Sequence, residues 1–467
     1  MVFSSPIFLF YFLPVVLLLY YFVRGNIGLQ NIVLFFSSLL FYFWGEKQYV
    51  VLVLFSIAVN YGFGYLISLS PNETRKAWIL GIGIVTNLSL LLYYKYFDFL
   101  VAAFLQTHIK HSVHLPLGVS FFTFHGLTYI IDIYRKEAVA AKSPMNVGLY
   151  ILFFPQLIAG PIVRYKDIDQ QLNHREVNNA KRYEGIRRFI IGFAKKICIA
   201  NTLGSVADAI YQLPNQDISP ALAWLASLCY TLQIYFDFSG YSDMAIGLAK
   251  LFGFEFVENF NFPYAARSLQ EFWRKWHISL STFFRDYVYI PLGGNRKGPF
   301  RVYLNLMIVF FLTGLWHGAS WNYILWGMLH GSFLLIERLG WGKLLERFPK
   351  WLGHAYTLFI VMIAWVLFRI EDLSKATDIL KKLFFIDRTS REVFTPAYYL
   401  RTDVIFMLVI GIILSFPVKK LAINLLPVST ANPYKKLGMD GFYILLFLLS
   451  LSIMSAATYN PFIYFRF

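Results

Sequence analysis

His317 stands in an apolar, aromatic-rich stretch, Thr313-Gly-Leu-Trp-His-Gly-Ala-Ser-Trp-Asn322, between Gly314 and Gly318 and beside Trp316. A neutral imidazole, with an ordinary pKa near 6.5, accepts a proton from a hydroxyl, and apolar surroundings favour that neutral form. The small neighbours predict room around the ring. A satisfied core histidine fits the same pattern. His277 lies four residues after Trp273 and three before Leu280, which points it to the apolar face of a helix.

Asp237 and Asp243 interrupt an apolar run, Tyr235-Phe-Asp-Phe-Ser-Gly-Tyr-Ser-Asp243, with Tyr241 between them. An ionised aspartate at mid-membrane costs ~2.5–3.5 kcal/mol, so each needs a partner or a wet cavity. Tying helices together meets that need as well as binding a substrate does. Tyr289-Ile-Pro-Leu-Gly-Gly294 leads into the basic turn Asn295-Arg-Lys-Gly298. Gly293 and Gly294 allow a sharp turn, and open amides beside Arg296 and Lys297 suit phosphate groups; an ordinary cytoplasmic loop has the same composition.

His125 and His330 read as core residues, and His108, His111 and His114 as exposed loop histidines. Cys198 and Cys229 match neither metal nor redox spacing, so no metal is expected. Hydrolase elbow, Walker A and dinucleotide motifs are missing, which excludes the commonest hydrolase, ATPase and dehydrogenase designs.

The elements that must position these residues are transmembrane helices. Of 467 residues 58% are hydrophobic and 15% charged, against roughly 25% charged in soluble domains. Apolar segments near 6–23, 29–45, 49–69, 77–106, 116–134, 220–250, 302–318, 321–337, 352–370, 403–417 and 441–459 predict an all-α polytopic protein with about 11 spans. The first segment reads as a span and not a cleaved signal, since no cation precedes it. Residues 147–163, broken by Pro155, Gly160 and Pro161, are expected to re-enter, which requires protein or a water-filled cavity around them. Residues 269–289 read as one amphipathic interfacial helix carrying His277. Arg24, Arg75, Lys76, Arg135, Lys136 and Lys142 mark alternate connections as cytoplasmic, placing the N-terminus, the polar loop 371–402 and the C-terminus outside. The +16 charge then reflects topology and lipid contact, not nucleic acid. With no internal repeat or linker, residues 1–467 are expected to form a single membrane domain.

Phe272-Trp-Arg-Lys-Trp-His-Ile-Ser-Leu-Ser281, Phe284-Arg-Asp-Tyr-Val-Tyr-Ile-Pro-Leu-Gly-Gly294 and Leu315-Trp-His-Gly318 resemble the signature of membrane-bound O-acyltransferases. Tyr235 to Gly247, Phe154-Pro-Gln-Leu-Ile-Ala-Gly-Pro161, the opening Met1 to Ser5 and the closing Asn460 to Phe467 resemble the bacterial alginate O-acetyltransferase branch. The resemblance implies helices around a central funnel, His317 as the catalytic histidine, and His277 as the second motif histidine, either chemical or positioning. It makes Trp316, Asp237, Tyr241, Arg296 and Lys297 candidates for substrate contact. It implies acetyl-CoA or an acylated carrier protein as donor, no permanently bound cofactor, and a location in the bacterial cytoplasmic membrane. An extracytoplasmic partner would pass acetyl groups to an exported polysaccharide, and the oxyanion donor would be His277 or an amide. Two rivals stand: D-alanyl transfer toward teichoic acid, and a transporter using Asp237, Asp243 and His317 as an ion path.

Overall fold

The computed structural model describes residues 2–105, 114–391, 393–418, 433–456 and Tyr459, and every regular element among them is a helix. They fall into two compact units: Met1–Phe189 with Tyr241–Val257, and Ile190–Gly240 with Glu258–Phe467.

Among the described residues, seven helices are long and apolar enough to cross a membrane: Ile27–Gly45, Lys47–Leu69, Glu73–Phe104, Asn179–Gln212, Gly298–His317, Lys350–Arg369 and Leu437–Ala456. Phe8–Phe22 and Thr402–Leu414 are apolar but shorter. The protein is thus an all-α, multi-pass membrane protein whose spans differ from the expected list. Val119–Tyr134 and Trp321–Ile336 have 16 residues each; at 1.5 Å per residue they cover about 24 Å, short of a ~30 Å hydrocarbon core. Pro220–Leu251 is buried almost throughout, and Gln233, Asp237 and Asp243 are among its buried residues, so it falls short of the apolar runs above. The Asn179–Gln212 span is hard to recognise in the sequence because Lys181, Arg182, Arg187, Arg188, Lys195 and Lys196 all lie within its first 18 residues.

In the first unit Val119–Tyr134 is the core helix, packed on Val50–Leu69 and Glu73–Leu91. Asn60 and Asn87 exchange side-chain hydrogen bonds of 3.0 and 2.9 Å between those two neighbours. Gly126 lies against the pair, and a Cβ there would come within 2.6 Å of either amide. The segment expected to re-enter is a broken helix. Pro144–Leu152 stops at Phe153 (φ −49°, ψ 110°) and Phe154–Leu157 adds one turn. Nine residues reach only about 13 Å, so the segment does not span. Its freed backbone groups find side chains: Ser38 Oγ accepts from the Phe154 amide at 3.1 Å, and Tyr150 donates to the Val163 carbonyl at 2.8 Å.

In the second unit Gly298–His317 and Trp321–Ile336 form an antiparallel pair, with Lys350–Arg369 packed on the latter. The polar loop expected at 371–402 contains a helix, Leu373–Leu383. Asp372 caps it by accepting from the amides of Ser374 and Lys375 at 2.8 and 3.3 Å. Ala376, Ile379 and Leu383 are buried, a 3.6-residue stripe that its many lysines obscure in the sequence.

Candidate active site

The stretch expected as one amphipathic helix is three pieces: Leu269–Lys275, Ile278–Phe284 and a π-helical turn, Arg285–Tyr289. The first is capped by Ser268, which accepts from the Glu271 amide at 3.1 Å. Glu337 also serves it, taking the Leu269 and Gln270 amides at 2.6 and 3.0 Å. The break falls at His277, whose backbone is left-handed (φ 43°, ψ 55°). Asn259 holds the break open. Its carbonyl accepts from the Ile278 amide at 3.0 Å, and its side-chain oxygen accepts from the Ser279 amide and hydroxyl at 3.2 and 2.9 Å.

That arrangement fixes the polarity of His277. The Ser279 amide can only donate, so the Asn259 atom it meets is the oxygen, and His277 Nδ1, 3.1 Å from the same atom, must carry a proton. Burial pushes the His277 pKa down to about 3, so the ring is neutral and Nε2 is a lone pair. Nε2 is buried with no hydrogen-bond partner among the described residues. The ring stands edge-on to Phe238, with centroids 4.6 Å apart, and 6.1 Å from the Trp316 ring. His277 therefore presents an acceptor, which corrects the expectation that it could stabilise an oxyanion.

His317 is the last residue of its helix and is buried. Its ring sits among Trp316, Trp326 and Phe368 at centroid distances of 4.9, 5.0 and 5.1 Å. The flanking glycines do not make room around the imidazole, as expected; they allow two helices to touch. A Cβ on Gly314 would lie 2.3 Å from the Tyr323 carbonyl oxygen, on Gly318 2.2 Å from the Tyr323 ring, and on Gly327 2.3 Å from the Phe310 carbonyl oxygen. Gly327→Val is therefore expected to force the pair apart and abolish activity together with folding yield. Normal thermal stability of this variant in detergent would refute the close-packing account.

A cavity of about 1130 Å³ opens between these helices and the segment that follows them. Its mouth carries Arg267, Arg274, Arg285, Arg338, Lys343 and Arg347, while Glu271 and Glu337, also on its wall, are engaged by Lys275 and by backbone amides. The wall turns apolar at Trp273, Phe310 and Thr313, and Thr313 is one helical turn before His317. This basic-to-apolar gradient suits a ligand with a phosphorylated end and a small acyl end.

Of the predicted site residues, His277, Trp316 and His317 come together. Asp237 instead pairs with Lys196 at 2.7 Å, both nearly inaccessible. Tyr241 belongs to the other unit, stacked on Phe3 with centroids 4.6 Å apart. Arg296 and Lys297 are exposed and stand off the cavity wall. Gly293 and Gly294 do take positive φ (109° and 52°), but their amides and that of Arg296 bond within the turn and are not open to phosphate. His114 meets Glu46 at 3.4 Å, and His108 and His111 lie outside the described residues. The sequence reading placed His330 in the core, where it is buried, and gave no place to Asn259, Trp326 or most of the basic mouth. The adjacency of Trp326 and His330 to the motif histidine was its only available signal.

A multi-pass helical protein with a buried histidine one helical turn beyond a basic-mouthed cavity has the layout of a membrane acyltransferase. The pattern of the MBOAT, membrane-bound O-acyltransferase family matches residues 66–370. The chain belongs to this family and is an acyltransferase. It is 40% identical to a probable alginate O-acetylase of Pseudomonas putida over 493 aligned residues, covering 100% of both chains. It is 34% identical to a peptidoglycan O-acetyltransferase of Helicobacter pylori, covering 100% of this chain and 98% of the relative. A teichoic acid D-alanyltransferase of Bacillus subtilis is 32% identical over 49% of this chain and 60% of its own.

Proposed function

We propose that this protein moves acetyl groups from a cytosolic thioester, acetyl-CoA or an acylated carrier protein, across the bacterial cytoplasmic membrane for O-acetylation of an exported polysaccharide. The observation that carries the reading is the basic cavity that ends one helical turn from His317. Its arginines fit the phosphates of the donor, and its apolar inner end fits a two-carbon acyl group. His317 takes the proton of the acceptor hydroxyl as that oxygen bonds to the thioester carbon. Collapse of the intermediate breaks the C–S bond, and the thiolate recovers the proton. Likeness to two O-acetylating relatives over the full chain, against half the chain for the D-alanylating one, favours acetyl as the cargo. An alginate-like or other cell-surface glycan is the final acceptor, reached through an extracytoplasmic partner protein.

Acetyl-CoA consumption by the purified protein tests this reading, since a transporter has no reason to cleave a thioester. Arg274→Glu combined with Arg338→Glu should raise KM for acetyl-CoA about tenfold or more, equivalent to about 1.4 kcal/mol, with little change in kcat. Added salt should raise the wild-type KM in the same direction. A KM indifferent to both charge reversal and salt would remove the donor from this cavity.

A further inference from the structure

We infer that the oxyanion formed during acyl transfer is held by two N–H donors on one helix, Trp326 Nε1 and His330 Nε2, which makes both catalytic residues. The inference rests on acyl transfer at His317 as proposed above. When the acceptor oxygen bonds to the thioester carbon, its proton passes to His317 and the carbonyl π pair becomes a lone pair on oxygen. Preorganised donors facing that oxygen lower the barrier, because the charge appears only as the reaction proceeds. The oxyanion then re-forms the carbonyl, the C–S bond breaks, and the thiolate takes the proton from the His317 imidazolium. His277 is excluded as the donor, since Asn259 leaves its Nε2 as a lone pair.

Two other groups on the Trp321–Ile336 helix have the right polarity. Trp326 stands edge-on to His317 at 5.0 Å and is wholly buried, and its Nε1–H, which can only donate, has no acceptor among the described residues. His330 follows four residues later on the same helix face, its ring 5.0 Å from that of Trp326. Its polarity is set by Trp273, whose indole N–H donates to His330 Nδ1 at 3.3 Å. An indole cannot accept, so Nδ1 is the lone pair and the neutral ring carries its proton on Nε2. That Nε2 is also buried without an acceptor among the described residues. These two donors lie on one helix face, Trp326 against the base and His330 one ring further on, where they can meet a charge that exists only during turnover. Trp273 and Phe310, which line the inner cavity, both lie against His330, so this donor stands directly behind the wall that the acyl end meets.

The test uses the full-length protein in detergent, with acetyl-CoA as donor and thioester consumption as the readout. Trp326→Phe and His330→Phe should each lower kcat roughly 10²–10³-fold while leaving KM for acetyl-CoA within about threefold, the signature of donors engaged only in the transition state. His330→Gln, which keeps an N–H near the Nε2 position, should recover at least about tenfold of that loss. Wild-type kcat in either phenylalanine variant, or a loss carried by KM, would overturn the assignment. An independent readout is the ¹⁵N spectrum of protein carrying ring-labelled histidine. The resonances that vanish in His330→Gln should report a protonated Nε2 and a bare Nδ1, and the opposite tautomer would overturn the inference. This arm also decides the matter if wild type consumes no acetyl-CoA, a result that counts against the acetyl reading alone.

Discussion

His317→Ala is expected to slow acyl transfer by about 10²–10⁴-fold, the range that general-base assistance supplies, while KM for the donor stays near wild type. The split follows from position: His317 lies beyond the end of the cavity wall, so its removal leaves donor contacts intact. His317→Gln should be equally slow, because an amide preserves size and polarity but cannot take a proton. Folding of both variants is checked by thermal stability in detergent, since the ring also fills space among Trp316, Trp326 and Phe368. Turnover at the wild-type rate in His317→Ala would end its role as base and make it a packing residue. The same assay on His277→Ala ranks the two histidines. A large effect on kcat there would assign the bare Nε2 a part in proton transfer, and a small one would leave it as support for Trp316.

The inward direction of His277 was legible from helical spacing, although the geometry that achieves it is different. A continuous helix and a helix broken at His277 both bury the ring, and the break depends on Asn259, 18 residues away, replacing lost helical hydrogen bonds. No local pattern announces such a partner. The glycines around His317 were legible as special but not in their purpose, because Gly314, Gly318 and Gly327 are required by a neighbouring helix that only the fold brings near. The cavity mouth was invisible for the same reason: its cations come from 267–285 and 338–347, segments whose convergence is a tertiary fact. A span was missed where cations lie along it, as in Asn179–Gln212, whose Lys181, Arg188 and Lys196 pair with Glu255, Asp243 and Asp237.

That last helix carries the second large expected effect. Lys196→Met should sharply destabilise the protein, by about 3–5 kcal/mol, because it removes the Lys196 ammonium from a buried carboxylate. Lys196 and Asp237 are 3% and 1% exposed and 2.7 Å apart, so solvent does little to screen them. Their helices pass close enough that a Cβ on Gly240 would meet the Gly192 carbonyl oxygen at 2.7 Å, leaving little space for water to relieve a stranded charge. Asp237→Leu alone should fail for the mirror-image reason. The double variant Lys196→Met with Asp237→Leu should regain most of the lost thermal stability, since a buried ion pair exchanged for apolar side chains of similar size is often neutral or favourable. Its turnover then separates the two roles open to Asp237. Near-normal acyl transfer by the refolded double variant is the result expected of a pair that joins helices, whereas a stable but inactive one would return Asp237 to the substrate path.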